Sequence, residues 1–211
     1  NRSLRFSYLS EMGLLKWMPD SMYLKNKYRI LLGRELDLDN PKSFNEKLQW
    51  LKIHDRKSAY TTMVDKYAVK QYVANRIGEE YIIPTLGVWK HFDDIDFDNL
   101  PDQFVLKCTH DSGGLVICKD KRMLDKAVAK KKIEKCLKRN YYWSGREWPY
   151  KNVPKRIIAE QYLANDEKSD ELSDYKVLCF NGEPKLIEIH KGRFSGHHTQ
   201  DFYDVNWNKT E

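Results

Sequence analysis

FVLKCTHDSGGLVICK, residues 104–119, holds the features from which the rest of the chain is read. Two short apolar runs, Phe104-Val105-Leu106-Lys107 and Leu115-Val116-Ile117-Cys118, flank a polar turn ending in Ser112-Gly113-Gly114. Apolar, β-branched runs on both sides of a glycine-rich turn predict a β-hairpin. Strand alternation puts Val105 and Lys107 on one face and Phe104 and Leu106 on the other. Lys107 is then offered from a rigid strand towards the space over which the loop folds. Paired glycines let backbone N–H groups approach a phosphate, because no Cβ intervenes and positive φ is cheap. The spacing is neither GxxxxGK followed by Ser or Thr nor GxGxxG opening a helix. On this stretch alone, a nucleotide-triphosphate clamp and an ordinary surface hairpin both stand.

Outward from the hairpin, helices alternate with strands. Residues 1–40 read as a helical lead-in. Ser43-Phe44-Asn45-Glu46 is a capping box, and Phe44, Leu48 and Leu51 at i, i+4, i+7 are expected to pack that helix on a core. A second helix is expected from Asp65 to a stop at Gly78, followed by an acidic linker over residues 93–101. The basic stretch 119–139 predicts a helix capped by Asp125, with Ala129, Ile133, Cys136 and Leu137 as its inner stripe. Ile157-Ile158-Ala159 reads as a buried strand and residues 164–173 as a charged, mobile loop. Asn181-Gly182, between apolar runs, is the strongest hairpin signal in the chain. Hairpins separated by helices predict an α+β fold with antiparallel sheets.

Composition narrows the class. The 211 residues are 41% hydrophobic and 32% charged, enough for a sizeable core in one or two domains. There is no apolar run of about 18 residues and no signal-peptide pattern, so a cytoplasmic protein is expected. Cys108, Cys118, Cys136 and Cys179 lack CxxC spacing and read as reduced thiols. His197-His198 has no ligand partner at metal spacing and reads as surface loop. The net charge of +6 gathers in part on the outer face of the basic helix, where a solvated surface is the simpler account. No nucleic-acid motif is present, so no nucleic-acid partner is expected.

Lys107 followed by a Ser-Gly-Gly loop and a return strand resembles the ATP-grasp superfamily. FNEKLQWLK (44–52), VDKYAVKQYV (64–73), IGEEYIIPTLGVW (77–89), NYYWSGREWPYKN (140–152), IIAEQYL (157–163), DYKVLCFNGEPK (174–185) and DFYDVNW (201–207) resemble its TupA-like branch. That branch is named for teichuronopeptide biosynthesis, with relatives among bacterial cell-surface polysaccharide proteins. The resemblance runs from about Pro41 onward. It implies an ATP-grasp-like α+β fold: a helical region over 1–56 and a pre-grasp helix and strand region over 57–103. A subdomain with the glycine-rich loop would then span 104–163, and the start of a second subdomain 164–211.

The resemblance also implies roles. Lys66 would reach the nucleotide phosphates, its other reading being a first-turn surface lysine. Lys107 would contact phosphate and adenine edge, with His110, Ser112, Gly113 and Gly114 covering the β- and γ-phosphates. Glu160, Gln161, Tyr162 and Leu163 occupy the adenine hinge. Asp174 would hold the ribose, and Lys176 would face the triphosphate or the acyl phosphate. Arg193 fits an arginine on the transferring phosphoryl group or the acceptor carboxylate, and equally a surface arginine. The aromatic loop 141–150 reads either as a sugar-stacking surface or as core packing. No metal ligand is assigned: the cofactors implied are ATP and Mg2+, whose ligands are expected beyond Glu211, leaving the second subdomain incomplete.

The function implied is an ATP-dependent carboxylate–amine ligase, joining the two through an acyl phosphate. Its acceptor would be a uronic acid or amino acid of a surface glycan, with peripheral contact to a membrane-bound assembly complex. A glycosyltransferase of the same pathway is the rival, with Asp93-Asp94-Ile95-Asp96 as a weakly placed DxD. A non-catalytic assembly scaffold is the third reading.

Overall fold

The computed structural model describes residues 2–163, 172–192 and 196–210, without the side chains of Arg2 and Glu11. The expected mobile loop at 164–173 lies almost wholly outside the described residues. The chain divides into two compact units, Asn1–Tyr162 and Leu163–Glu211. The first holds helices α1 (Arg2–Glu11), α2 (Asp20–Leu32), α3 (Phe44–His54), α4 (Ser58–Val64), α5 (Ala68–Ile77), α6 (Lys126–Lys138) and α7 (Tyr142–Gly145). Its strands are β1 (Thr85–Trp89), β2 (Phe104–Cys108), β3 (Leu115–Cys118) and β4 (Ile157–Gln161). They form an antiparallel sheet in the order β1-β4-β2-β3. The fold is the α+β arrangement expected, with no closed barrel.

β2 shows why the sheet is two-faced. Phe104, Leu106 and Cys108 are fully buried, while Val105 and Lys107 are half-buried on the other face. The buried side meets Ala129, Ile133 and Cys136 of α6, the stripe read from the sequence. Asp125 caps α6, its carboxylate accepting from the Ala127 and Val128 amides at 2.9 Å each. β4 lies between β1 and β2, so Ile157, Ile158, Ala159 and Glu160 are all buried. Burial pushes the Cys108 thiol up to about 12.

Residues 92–100 are not a linker. Phe92, Ile95, Phe97 and Leu100 are buried in the same core, while the acids between them serve the surface. Asp93 pairs with Lys130 at 2.6 Å, and Asp96 accepts from the Asp98 amide and the Asn99 side chain. Charge density hid a core segment.

The N-terminal helices build a second core from Tyr23, Leu24, Tyr28, Leu36 and Leu38. The capping box at Ser43 and Glu46 forms, but Phe44, Leu48 and Leu51 are exposed. α3 instead packs through Trp50 and Ile53, which lie on its opposite side. The aromatic loop is core packing around Arg146. That side chain is 1% exposed, with its guanidinium over Tyr23 and Trp143 at 4.4 and 4.6 Å. Its Nη2 donates to the Leu15 carbonyl at 2.7 Å, and Tyr142 donates to Asp20 at 2.6 Å. Lys27 and Lys52 donate to the carbonyls of Ser144 and Gly145. The loop therefore staples the N-terminal helices to the unit.

The second unit is a three-stranded antiparallel sheet in the order β5-β6-β7: β5 (Asp174–Phe180), β6 (Glu183–Lys191) and β7 (Thr199–Tyr203). Asn181 and Gly182 both have positive φ, 52° and 83°, as the two-residue hairpin turn requires.

Candidate functional site

Opposite the core, the four-stranded sheet presents Val105 and Lys107 from β2, Leu115 and Ile117 from β3, and Ile158 and Glu160 from β4. Glu160 is 4% exposed and gathers two lysines. Lys70 Nζ is 2.7 Å from Oε1, and Lys107 Nζ is 2.5 Å from Oε2. Oε2 is itself buried against the Lys107 ammonium. Burial pushes this carboxyl's pKa up, but Lys107 and Lys70 together outweigh it and hold it below the usual carboxylate value. Lys70 comes from α5 and also donates to the Ile83 carbonyl at 2.5 Å.

Lys66 sits in the turn entering α5. Its amide donates to the Thr109 carbonyl at 3.2 Å and its ammonium to the Asp111 carbonyl at 2.5 Å. That contact ties the turn to the glycine-rich loop. Asp65, the expected start of the second helix, accepts from the Tyr67 amide at 3.0 Å and pairs with Arg156. Burial lowers the Lys66 pKa, and the nearby Lys107 lowers it further against the opposing pull of Asp111. Asp111 is itself buried and paired with Arg139 at 2.5 Å.

The remaining loop positions separate into two groups. Ser112 and Gly113 form the exposed tip, Gly113 with φ at +90°. Gly114 is buried, and a Cβ there would stand 2.8 Å from both Cβ and Sγ of Cys136. The buried His110 imidazole points towards α6, with Nε2 3.2 Å from the Cys136 carbonyl. Burial lowers its pKa. Gln161 extends β4, donating its amide to the Pro84 carbonyl at 3.0 Å. Tyr162 is half-buried at the end of the first unit, and Leu163 opens the second.

In the second unit Asp174 faces His190 across the ladder and Lys176 faces Glu188. Lys176 Nζ is 2.8 Å from His190 Nε2. Arg193 lies outside the described residues. Lys70, Asp111 and Arg139 escaped sequence reading, although Lys70, four residues after Lys66, carried a helical signal.

The charge around Glu160 suits an anion. Asp111 and Asp65 have arginines of their own, Lys70 and Lys107 share Glu160, and Lys66 donates to a backbone carbonyl of the glycine-rich loop. With the exposed glycine tip, this set of ammonium donors fits a nucleotide triphosphate. Among the described residues, no group of three or more His, Cys, Asp or Glu is placed to hold a metal ion. None of the described helices is long and apolar enough to cross a membrane.

No curated protein and no solved structure matches the chain. The family of TupA-like ATPgrasp proteins does, over residues 46–211. Membership in that superfamily carries general use of ATP and Mg2+ and a ligase-like role. By that match, and by the α+β fold that carries it, the chain belongs to the TupA-like ATP-grasp family.

Proposed function

We propose that the chain takes part in ATP-dependent ligation of a carboxylate to an amine, on a uronic acid or amino acid of a bacterial surface glycan. The observation that carries the nucleotide half is the pairing of Lys70 and Lys107 with the buried Glu160, with Lys66 near Lys107 and bonded to the glycine-rich loop. When bound, Mg2+-ATP supplies the phosphoryl group that activates the carboxylate. Lys66 and Lys107 neutralise phosphate charge, which matters because two close anions repel by about 4 kcal/mol at ~4 Å and an effective dielectric of ~20. The Ser112-Gly113 tip offers backbone amides, and Glu160 accepts from the base. Gln161, Tyr162 and Leu163 serve as the hinge, and Asp174, Lys176 and Arg193 keep the ribose and phosphoryl roles that the family resemblance implies. His110 and Gly114 support the loop from beneath, through contacts with α6. The glycan setting rests on the family's name, and the cytoplasm on the need for ATP.

Calorimetric titration with a non-hydrolysable ATP analogue tests the site. Lys107→Ala is expected to weaken binding by about tenfold or more, the loss of one charge-assisted contact. An unchanged affinity overturns the assignment.

A further inference from the structure

One face of the β5-β6-β7 sheet holds Glu188, His190 and His198, three hydrogen-bonding groups that the nucleotide site does not use. Glu188 and His190 are two apart on β6 and share that face, with Asp174 and Lys176 of β5 and Gln200 of β7. Glu188 Oε1 is 2.6 Å from His190 Nε2, and Gln200 Nε2 donates to the same oxygen at 2.5 Å. On its other edge, His190 Nδ1 is 2.8 Å from His198 Nε2. The two rings are 8° from coplanar with centroids 5.1 Å apart. That separation matches the N···N distance plus the two ring radii, so the imidazoles meet edge to edge along a hydrogen bond rather than face to face. His190 is 5% exposed, whereas His198 is exposed.

We propose that Glu188–His190–His198 is a proton relay, with His198 Nδ1 as its exposed acid–base end. Each of its steps follows from the inventory of lone pairs. In the resting form His198 Nε2–H donates to His190 Nδ1, and His190 Nε2–H donates to Glu188. A proton arriving at His198 Nδ1 moves the Nε2 proton onto His190. The imidazolium so formed lies against the Glu188 carboxylate, as an imidazolium is held by a buried acid in hydrolase triads. His190 and Glu188 are positioning residues. Lys176 enters as a competitor, because His190 Nε2 cannot donate to Glu188 and accept from Lys176 at once. The relay's resting form releases Lys176 from His190, and the alternative tautomer holds it. Among the described residues, the titratable and charged groups on this face are Asp174, Lys176, Glu188, His190 and His198.

Resting on the ligase reading, the relay has a task there. An amine nucleophile carries an extra proton at neutral pH, which must leave before nitrogen can attack. The amine's proton goes to His198 Nδ1 and its lone pair forms the new C–N bond. The C–O bond of the activated carboxyl breaks, and phosphate leaves with the electron pair, taking up the second proton that nitrogen sheds as the amide forms.

Long-range 1H–15N spectra of histidine-labelled protein test the relay without substrate. A 15N–15N coupling across the hydrogen bond between His198 Nε2 and His190 Nδ1 is expected, and His198→Gln is expected to abolish it. Lys176→Met is expected to enrich the Nε2–H tautomer of His190. Absence of the coupling and an unmoved tautomer overturn the relay. ADP release with glucuronic acid tests the base, using alanine or hydroxylamine as the amine. Hydroxylamine is largely unprotonated at neutral pH, so it attacks without first giving up a proton. His198→Gln is expected to slow the alanine reaction about a hundredfold and leave the hydroxylamine reaction nearly unchanged. Equal loss with both overturns the base role. If the unmutated protein makes ADP with neither, the ligase reading fails, and the imidazole spectra alone decide the relay.

Discussion

Glu160 is a carboxylate that burial would protonate and two lysines keep charged. Its folded pKa lies below the unfolded value, so the unfolded chain binds the extra proton first as pH falls. The stabilisation is full above about pH 4.3 and is lost as pH drops through the folded value. Removing both ammonium groups reverses the sign. In a Lys70→Met, Lys107→Met protein, burial alone raises the Glu160 pKa, and stability from this residue grows on acidification. Urea midpoints at pH 7 and pH 4 for both proteins check this. Lys66 shows the converse. Burial disfavours its charge, and a nearby lysine adds to the cost. Lys66→Met is therefore expected to leave thermal stability equal or higher while weakening the ATP analogue about tenfold or more. A large loss of stability would show that the Asp111 contact is structural. The Lys70–Glu160 pair spans 90 positions, a distance at which no periodicity points from one partner to the other.

At the scale of elements, the glycine-rich loop joins two requirements. Its tip is open, but Gly114 is fixed by α6 packing against the start of β3. Gly114→Ala is expected to cost about 1–3 kcal/mol by overpacking. Cys136→Ala should recover only part of this, since the Cys136 Cβ is itself at 2.8 Å. Denaturant midpoints of the single and double variants check both statements. What was legible here was local: the alternation of β2, the Asp125 cap, the Ser43 capping box and the Asn181-Gly182 turn each lie within a few residues. The active stripe of α3 was not legible, because Phe44/Leu48/Leu51 and Trp50/Ile53 are both apolar and only the neighbouring helices select between them. Residues 92–100 failed for a related reason: four aspartates masked four buried apolar positions. The hairpin nevertheless exposed the site's lysine, since strand alternation alone separates Lys107 from the core.

For the whole molecule, the decisive contact is Arg146 beneath the N-terminal helices. Arg146→Ala removes a buried cation from three aromatic rings and two carbonyls. It is expected to cost about 3 kcal/mol or more and to raise hydrogen exchange across α1 and α2, with β2 and β4 changing least. Uniform exchange throughout would mean that the staple is not local. The same contact bears on where a shared sequence pattern ends and where a folding unit ends. The family match begins at residue 46, whereas Leu15, Met18, Asp20 and Tyr23, which enclose Arg146, precede it. A protein cut to that inherited edge would carry a guanidinium chosen for darkness into open water, with one of its three aromatic companions gone. Residues 46–211 alone should therefore collect in inclusion bodies, and supplying residues 1–45 as a separate peptide should draw them back into solution.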